Sequence, residues 1–375
     1  MANIFNAIYN KILDIVLYFF GKDDRERFFY ATKKGYVSPV KRLIERGTDV
    51  NVKDDKSYGQ TALHYAAGKG YVKVAELLIN ERANVNERNS EGWTPLHYVT
   101  AKGDMEMVEL LINAEANVNA RTDLGCSPLY FAVMSNSKKA IESLIEKGTN
   151  INARNCYGWT SLHYAALVGN VEVAKLLFIN KKANVNERDS YGRTPLYYAV
   201  MSNNKKAIEF LIEKEANVNE IIVGRPLLHY AIYTGDIKVV ELLINAKVDV
   251  NKINDDGDTP LHFAISRGNV KVVKLLINAG ADVNKINKKG ETPLHYAVLK
   301  GKIECARAII PHVYETEKPD YIANHNQFSA IWDEVRLANS KAGSPPTSPT
   351  WGSMPDSDID EIKRVESAKT PEQGI

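Results

Sequence analysis

A glycine recurs at nearly constant spacing through most of this 375-residue chain. The successive steps between its copies are 33, 33, 33, 34, 32, 33 and 33 residues. The copies are Gly59, Gly92, Gly125, Gly158, Gly192, Gly224, Gly257 and Gly290. A fixed period of this length is typical of stacked supersecondary units, each of which buries its apolar face against its neighbours. The period therefore predicts a repeat architecture.

A similar block follows each glycine, and it is most complete at 257–262, where the sequence reads Gly-Asp-Thr-Pro-Leu-His. Threonine suits a helix N-cap, because its hydroxyl can accept a hydrogen bond from an unpaired backbone N–H. Proline suits the first helical position, where its missing N–H costs nothing. Six residues after the histidine position, most copies have glycine and two have Asn136 or Asn203. Both residue types tolerate the left-handed conformation that ends many helices.

A second apolar-periodic segment follows each first helix, as at 72–79, and then an Asn-Val-Asn turn, as at 84–86. Asn stabilises turns through bonds to its own backbone. A 33-residue period carrying Thr-Pro-Leu-His-x-Ala is the ankyrin signature. The chain thus resembles an ankyrin-repeat protein over about residues 24–312. The resemblance implies an all-α repeat solenoid of stacked helix-turn-helix units with projecting β-hairpin loops.

Four segments are expected on this basis. Residues 1–23 form an amphipathic N-terminal helix, and residues 24–315 form an ankyrin-repeat domain of about nine repeats with a degenerate first copy. Residues 316–339 form a short extension with room for one more helix. Residues 340–375 are rich in Pro, Ser and Gly and are expected to be disordered, because such a composition cannot bury enough apolar area to fold.

The N-terminal segment leaves two readings open. Apolar residues recur on one helical face, but Lys11 and Asp14 interrupt residues 4–20, which are too short for a membrane span. One reading is a capping helix laid over the first repeat. The other is an interfacial helix that binds a membrane or a partner. The apolar face consists of Phe5, Ile8, Ile12, Ile15 and Phe19.

Composition and motifs argue against catalysis and against nucleic acid. The net charge of +2 gives no clustered basic field, and three scattered cysteines indicate reduced thiols rather than a disulfide framework or a zinc site. Six of the eight histidines occupy the histidine position of the repeated block, and we call them motif histidines. The resemblance implies that they are hydrogen-bonded within and between repeats. No nucleophile elbow, phosphate loop or metalloprotease motif is present. We therefore expect no enzyme activity and no cofactor.

The resemblance implies binding through the loops and through exposed positions of the first helices. These positions are rich in Trp, Tyr, Arg and Met, the residue types that are enriched at interface hot spots. We expect the two loop tryptophans to face water, and repeats two to five to form the main contact surface. The expected contact residues are Trp93, Arg121, Arg154, Tyr157, Trp159, Leu167, Tyr191, Arg193, Met201 and Tyr233.

A longer period is also visible, because the blocks that begin at Ser127 and Thr194 match closely and both replace the motif histidine with tyrosine. This indicates a duplicated unit of two repeats. The expected function is a monomeric, cytoplasmic protein-binding scaffold, acting as an adaptor or as a host-directed effector. The abundance of Asn, Lys and Ile resembles ankyrin proteins of host-associated intracellular bacteria, which implies the host cytosol. The alternative is a membrane-associated adaptor anchored by residues 4–20.

Overall fold

The computed structural model describes residues 23–178, 183–313 and 317–341. These residues contain twenty α-helices. Two compact units divide between Asp255 and Asp256. The expected N-terminal helix and the expected disordered tail beyond residue 341 lie outside the described residues.

The first unit contains seven helix pairs, which we number as repeats one to seven in chain order. The first helices of these pairs are α1 (Asp24–Lys34), α3 (Ala62–Lys69), α5 (Pro95–Lys102), α7 (Pro128–Met134), α9 (Ser161–Val168), α11 (Pro195–Met201) and α13 (Leu227–Thr234). The second helices are α2 (Val37–Glu45), α4 (Val72–Asn80), α6 (Met105–Asn113), α8 (Lys138–Glu146), α10 (Val171–Leu177), α12 (Lys205–Glu213) and α14 (Ile237–Asn245). First helices pack on first helices of the adjacent repeats, and second helices on second helices.

The second unit contains repeats eight and nine and a short helical segment after them. Repeat eight is α15 (Pro260–Arg267) with α16 (Val270–Asn278), and repeat nine is α17 (Pro293–Leu299) with α18 (Ile303–Ile309) and a 3-10 turn (Ile310–His312). Two helices follow, α19 (Asp320–Ala323) and α20 (Asn326–Lys341). They pack on repeat nine, where Tyr321 stacks on His295 with ring centroids 4.5 Å apart.

Where it is present, the motif histidine can join its first helix to the next repeat. In repeat three, the backbone N–H of Thr94 donates to Nδ1 of His97 at 3.1 Å, and Nε2 lies 3.2 Å from the carbonyl oxygen of Cys126 in repeat four. Burial lowers the pKa of His97 to about 4, so the imidazole is neutral and its Nε2–H donates. The same pair of contacts recurs at His64, His163 and His262. The structural role expected for these histidines is confirmed.

The predicted helix ends are confirmed at the two positions where asparagine replaces glycine. Asn136 has φ of 55° and Asn203 has φ of 60°, both in the left-handed region. Asparagine visits this region at lower cost than most residues with a side chain. The short connection into the second helix therefore keeps the same conformation as in the glycine copies.

The leucine four residues after each recurring glycine forms the centre of the core, because it points between the two helices and toward the neighbouring repeats. It is at most 2% exposed in every copy. The copies are Leu63, Leu96, Leu129, Leu162, Leu196, Leu228, Leu261 and Leu294. The second helices contribute a matching set of buried apolar residues. The predicted all-α solenoid of stacked helix-turn-helix repeats is thus confirmed.

The loops between repeats are tight turns more than regular hairpins. Among the described residues only repeat seven has paired strands, β1 (Ile221–Ile222) and β2 (Arg225–Pro226). Elsewhere a turn such as that of repeat five is closed by the N–H of Asn155 donating to the carbonyl of Trp159 at 2.9 Å. Backbone bonds also join neighbouring loops, as when the N–H of Cys156 donates to the carbonyl of Leu124 at 2.8 Å. Adjacent loops are therefore held in register.

Candidate protein-binding surface

One polar side chain shapes the loop in repeats three, five and six and places the residue at its tip. In repeat five, Oδ1 of Asn155 accepts the backbone N–H groups of Tyr157 and Trp159 at 3.0 and 2.9 Å. Gly158, which lies between these two residues, has φ of 77°. A Cβ at this position would lie 2.7 Å from the backbone nitrogen of Ser190 in the following loop. Glycine is therefore required at this close approach, and the residue before it projects into solvent.

The tip residues form an apolar row across repeats four to seven. Their exposed fractions run from 55% at Tyr157 to 80% at Val223. The row consists of Leu124, Tyr157, Tyr191 and Val223. Tyr58 is also an exposed tip residue, but the exposed Glu91 separates it from the row. The predicted contact residues Tyr157 and Tyr191 thus lie side by side on neighbouring loops.

A second apolar row lies at the ends of the first helices of the same repeats. Its exposed members are Met134, Val168 and Tyr233, and its half-buried members are Leu167 and Met201. The helices α7, α9, α11 and α13 contain no charged residue. We call these two rows, in repeats four to seven, the apolar surface.

The two loop tryptophans do not face water as expected. Both are half-buried, because the position after the glycine points toward the first helix of the next repeat. The Trp93 ring lies 4.4 Å from Phe131 of repeat four, and the Trp159 ring lies 4.5 Å from Tyr198 of repeat six, between centroids. They brace neighbouring repeats, so the expectation of free tryptophan side chains is wrong.

Arg193 also takes part in a packed cluster. Its Nε donates to Oδ2 of Asp189 at 2.8 Å, and its guanidinium lies 4.5 Å from the ring of Tyr191 and 5.2 Å from that of Tyr198. Burial alone would raise the pKa of Asp189. Hydrogen bonds from Tyr198 and Arg193 outweigh that effect and hold the pKa below its usual value. The cluster fixes the position of the exposed Tyr191.

The two remaining predicted arginines lie exposed on the loop edge of the apolar surface. Nη1 of Arg154 pairs with Oε1 of Glu187 in the next loop at 3.0 Å. Arg121 has no carboxylate partner within the described chain. Such exposed pairs contribute little to stability, so Arg154 can exchange its partner at low cost.

Sequence reasoning missed Glu220, which is 2% exposed between repeats six and seven. The Thr194 hydroxyl donates to its Oε1 at 2.5 Å, and Oε2 has no hydrogen-bond partner among the described residues. Burial raises the pKa of Glu220 to about 7, although the Thr194 hydrogen bond and the charge of Arg188 act against the rise. Repeat six has Tyr197 in place of the motif histidine, and the Glu220 carboxyl group contacts the threonine instead. That missing histidine was the signal available in the sequence.

Stacked helix pairs with loops held in register define an all-α repeat protein. The chain belongs to the ankyrin-repeat family. The family model for ankyrin repeats in three copies matches residues 4–89, 28–122, 81–155, 101–189, 129–222 and 228–320. No curated protein matches the chain. Ankyrin repeats are in general protein–protein interaction modules.

The described residues also bear on two other classes of site, a metal centre and a membrane span. No three His, Cys, Asp or Glu side chains come together there in a way that could hold a metal ion. Within the same segments, no helix has both the length and the apolar character needed to cross a bilayer. Residues 4–20, the anchor of the alternative function, lie outside the described residues.

Proposed function

We propose that this chain is a non-enzymatic adaptor that binds a partner protein through the apolar surface of repeats four to seven. The observation that supports this proposal is the continuity of the two apolar rows over four adjacent repeats whose first helices carry no charge. Contiguous apolar patches on soluble proteins usually mark interaction sites. The proposed surface lies further along the chain than repeats two to five, because the tryptophans of repeats three and five are engaged in packing.

The rigidity of the surface also favours binding. Tyr191 rests on Arg193, and neighbouring loops are joined by backbone hydrogen bonds. Side chains that are already ordered lose less entropy on association. Among the residues predicted from the sequence, Tyr157, Tyr191, Met201 and Tyr233 remain the proposed contacts. Trp93 and Trp159 act by positioning their neighbours.

The test is a selection from a phage-displayed library of random 30-residue peptides against the intact chain. Ligands that enrich are then measured on Tyr157→Asp and Tyr233→Asp variants. Each change should weaken binding tenfold or more, because truncating a hot-spot side chain costs about 2 kcal/mol or more and about 1.4 kcal/mol is a factor of ten.

Tyr58→Asp is the matched control, because Tyr58 is an equally exposed tip residue outside the apolar surface. It should leave the affinity unchanged. Circular dichroism spectra would verify that all three variants are folded. Ligands whose affinity is insensitive to both surface changes, or a selection without ligands, would contradict the proposal.

A further inference from the structure

The two rows of the apolar surface present one apolar position per repeat. Neighbouring loops are tied by bonds such as that from the Ser190 N–H to the Tyr157 carbonyl at 3.0 Å. First helices of adjacent repeats pack on one another, at about 8–10 Å for helices in contact. A ligand that follows both rows must therefore offer an apolar residue about every 10 Å.

This spacing matches an α-helix better than an extended strand. An α-helix advances about 10.5 Å in seven residues and brings the same face back to the surface. An extended strand returns the same face about every 6.6 Å. Four repeats correspond to a helix of about four heptads. The spacing thus favours a helical segment with an apolar residue at every seventh position.

The loop edge of the surface has a surplus of available cations. Arg188 donates to the carbonyl oxygens of Gly192 and Ile221 and, like Arg121, has no carboxylate partner in the part of the chain that the structure describes. Two acids of this edge are already engaged in ion pairs. Asp123 pairs with Arg88 at 2.8 Å, and Glu187 pairs with Arg154 at 3.0 Å.

The opposite edge is basic as well. The second helices of repeats four and six begin four residues after the first helices end, and each begins with two lysines. Lys138 pairs with Glu172 at 3.8 Å and Lys205 with Asp236 at 2.6 Å. Lys139 and Lys206 are exposed and have no ion pair within the described residues. An apolar surface between two basic edges complements a ligand with acidic flanks.

We propose that the partner presents an amphipathic α-helix with apolar residues at heptad spacing and Asp or Glu beside them. This inference rests on the proposed function and specifies the chemistry of its ligand. Apolar contacts along the two rows supply affinity, and the acidic flanks set orientation against the arginines and lysines.

The direct test uses three synthetic 28-residue peptides in fluorescence anisotropy titrations with the full chain. The first has leucine at heptad spacing with glutamate flanks, the second replaces every glutamate with lysine, and the third places a central proline in the first. The acidic peptide should bind at least tenfold more tightly than either of the others, and its affinity should fall as salt is added.

Charge-reversal variants then locate the acidic flanks. Arg121→Glu and Arg188→Glu should each weaken binding of the acidic peptide several-fold. Arg46→Glu, the same change at an exposed arginine in repeat one, should not. Equal binding of the lysine or proline peptide, or no binding by any of the three, would overturn the inference.

The library selection shows whether a negative peptide result rejects only the acidic helix or also the proposed function. Selected ligands that lose affinity on Tyr157→Asp, but are basic or lack heptad spacing, would leave the proposed function standing and reject the acidic helix. Selected ligands that are insensitive to Tyr157→Asp and Tyr233→Asp would reject the proposed function itself.

Discussion

Two kinds of buried titratable side chain lie between repeats, and they respond to pH in opposite directions. Motif histidines such as His97 have a pKa lowered to about 4 by burial, whereas burial raises the pKa of Glu220 to about 7. His97 must be neutral for Nδ1 to accept the Thr94 N–H, whereas Glu220 is held neutral by burial alone, because its hydrogen bond from Thr194 favours the ionised form. A group whose pKa differs between folded and unfolded states makes stability depend on pH between those two values.

The histidines make the protein sensitive to acid. Between pH 6.5 and about 4, the unfolded chain binds protons at His64 and His97 that the folded chain does not, so the free energy of unfolding falls as the pH falls. Each contributes about 3 kcal/mol over this window. Urea unfolding from pH 7.5 to 4.5 should show this loss. A His97→Gln variant should be less stable than the wild type at pH 7.5, but its free energy of unfolding should fall less between pH 7.5 and 4.5. An equal fall in both proteins would show that His97 is not a source of the acid sensitivity.

Glu220 acts in the opposite sense. Between pH 4.5 and about 7 the folded chain holds a proton that the unfolded chain releases, so stability falls as the pH rises through this window. Glu220→Gln keeps the shape without the ionisation and should gain about 3 kcal/mol relative to the wild type at pH 8.5, with little difference near pH 4.5. Urea unfolding at the two pH values measures this gain.

The matched control is Glu87→Gln, at the corresponding loop position of repeat three. The hydrogen bond and ion pair with Lys53, at 2.7 Å, hold the pKa of Glu87 below its usual value, against the effect of burial. This variant should lose stability at neutral pH rather than gain it. A gain of similar size in both variants would show that burial of Glu220 is not the cause.

At the scale of the element, each loop depends on the loop that follows it. The turn of repeat five combines a left-handed glycine with backbone contact to the next loop. The turn after α8 also contains a left-handed glycine, Gly148, but a Cβ there would meet nothing within 4 Å. A side chain at Gly148 would therefore test only the cost of the left-handed conformation. A side chain at Gly158 would test that cost together with the cost of a clash with the next loop.

Substituting alanine at these glycines gives a graded prediction. Gly148→Ala should cost about 1–2 kcal/mol, the price of a left-handed residue with a side chain. Gly158→Ala should cost clearly more, because its Cβ would also lie 2.7 Å from the Ser190 nitrogen and push the two loops apart. Urea unfolding of both variants would measure the difference. Equal losses would mean that the loops separate without penalty.

Local features were predictable from the sequence, and features that depend on a neighbouring repeat were not. Thr94 with Pro95 marks a helix start, and Asn136 marks an end, because both act within a few residues of chain. The orientation of Trp159 depends on Tyr198 in the next repeat, so its residue type alone indicated an exposed hot spot. Glu220 reaches Thr194 only because of how two repeats stack, and the local sequence shows no more than a missing histidine at Tyr197.

At the scale of the whole molecule, contacts within each unit join a repeat mainly to its immediate neighbours. Stability in such proteins is approximately a sum of repeat and nearest-neighbour contributions. A defect should therefore spread over a short distance along the chain. The apolar surface spans four repeats, so its integrity depends on a local part of the first unit.

A core substitution in repeat six tests this locality. Leu196, 1% exposed, contributes to the core between its two helices. Leu196→Ala should cost about 2–5 kcal/mol by leaving a cavity. Amide hydrogen exchange should rise in repeats five to seven and stay near the wild-type level in repeat two. A uniform rise across the first unit would instead indicate a single cooperative transition.

The bonds between repeats also bear on how such a chain can grow. The loop N–H of one repeat donates back to the loop before it, and the motif histidine donates forward to the repeat after it. Every complete repeat thus offers a similar set of donors and acceptors at its two ends. A gene segment that encodes a whole number of repeats can be copied in place and leave few buried groups unpaired. The near-identical blocks at Ser127 and Thr194 are what such copying would produce, and Glu220 supplies a contact where the copied block lacks its histidine.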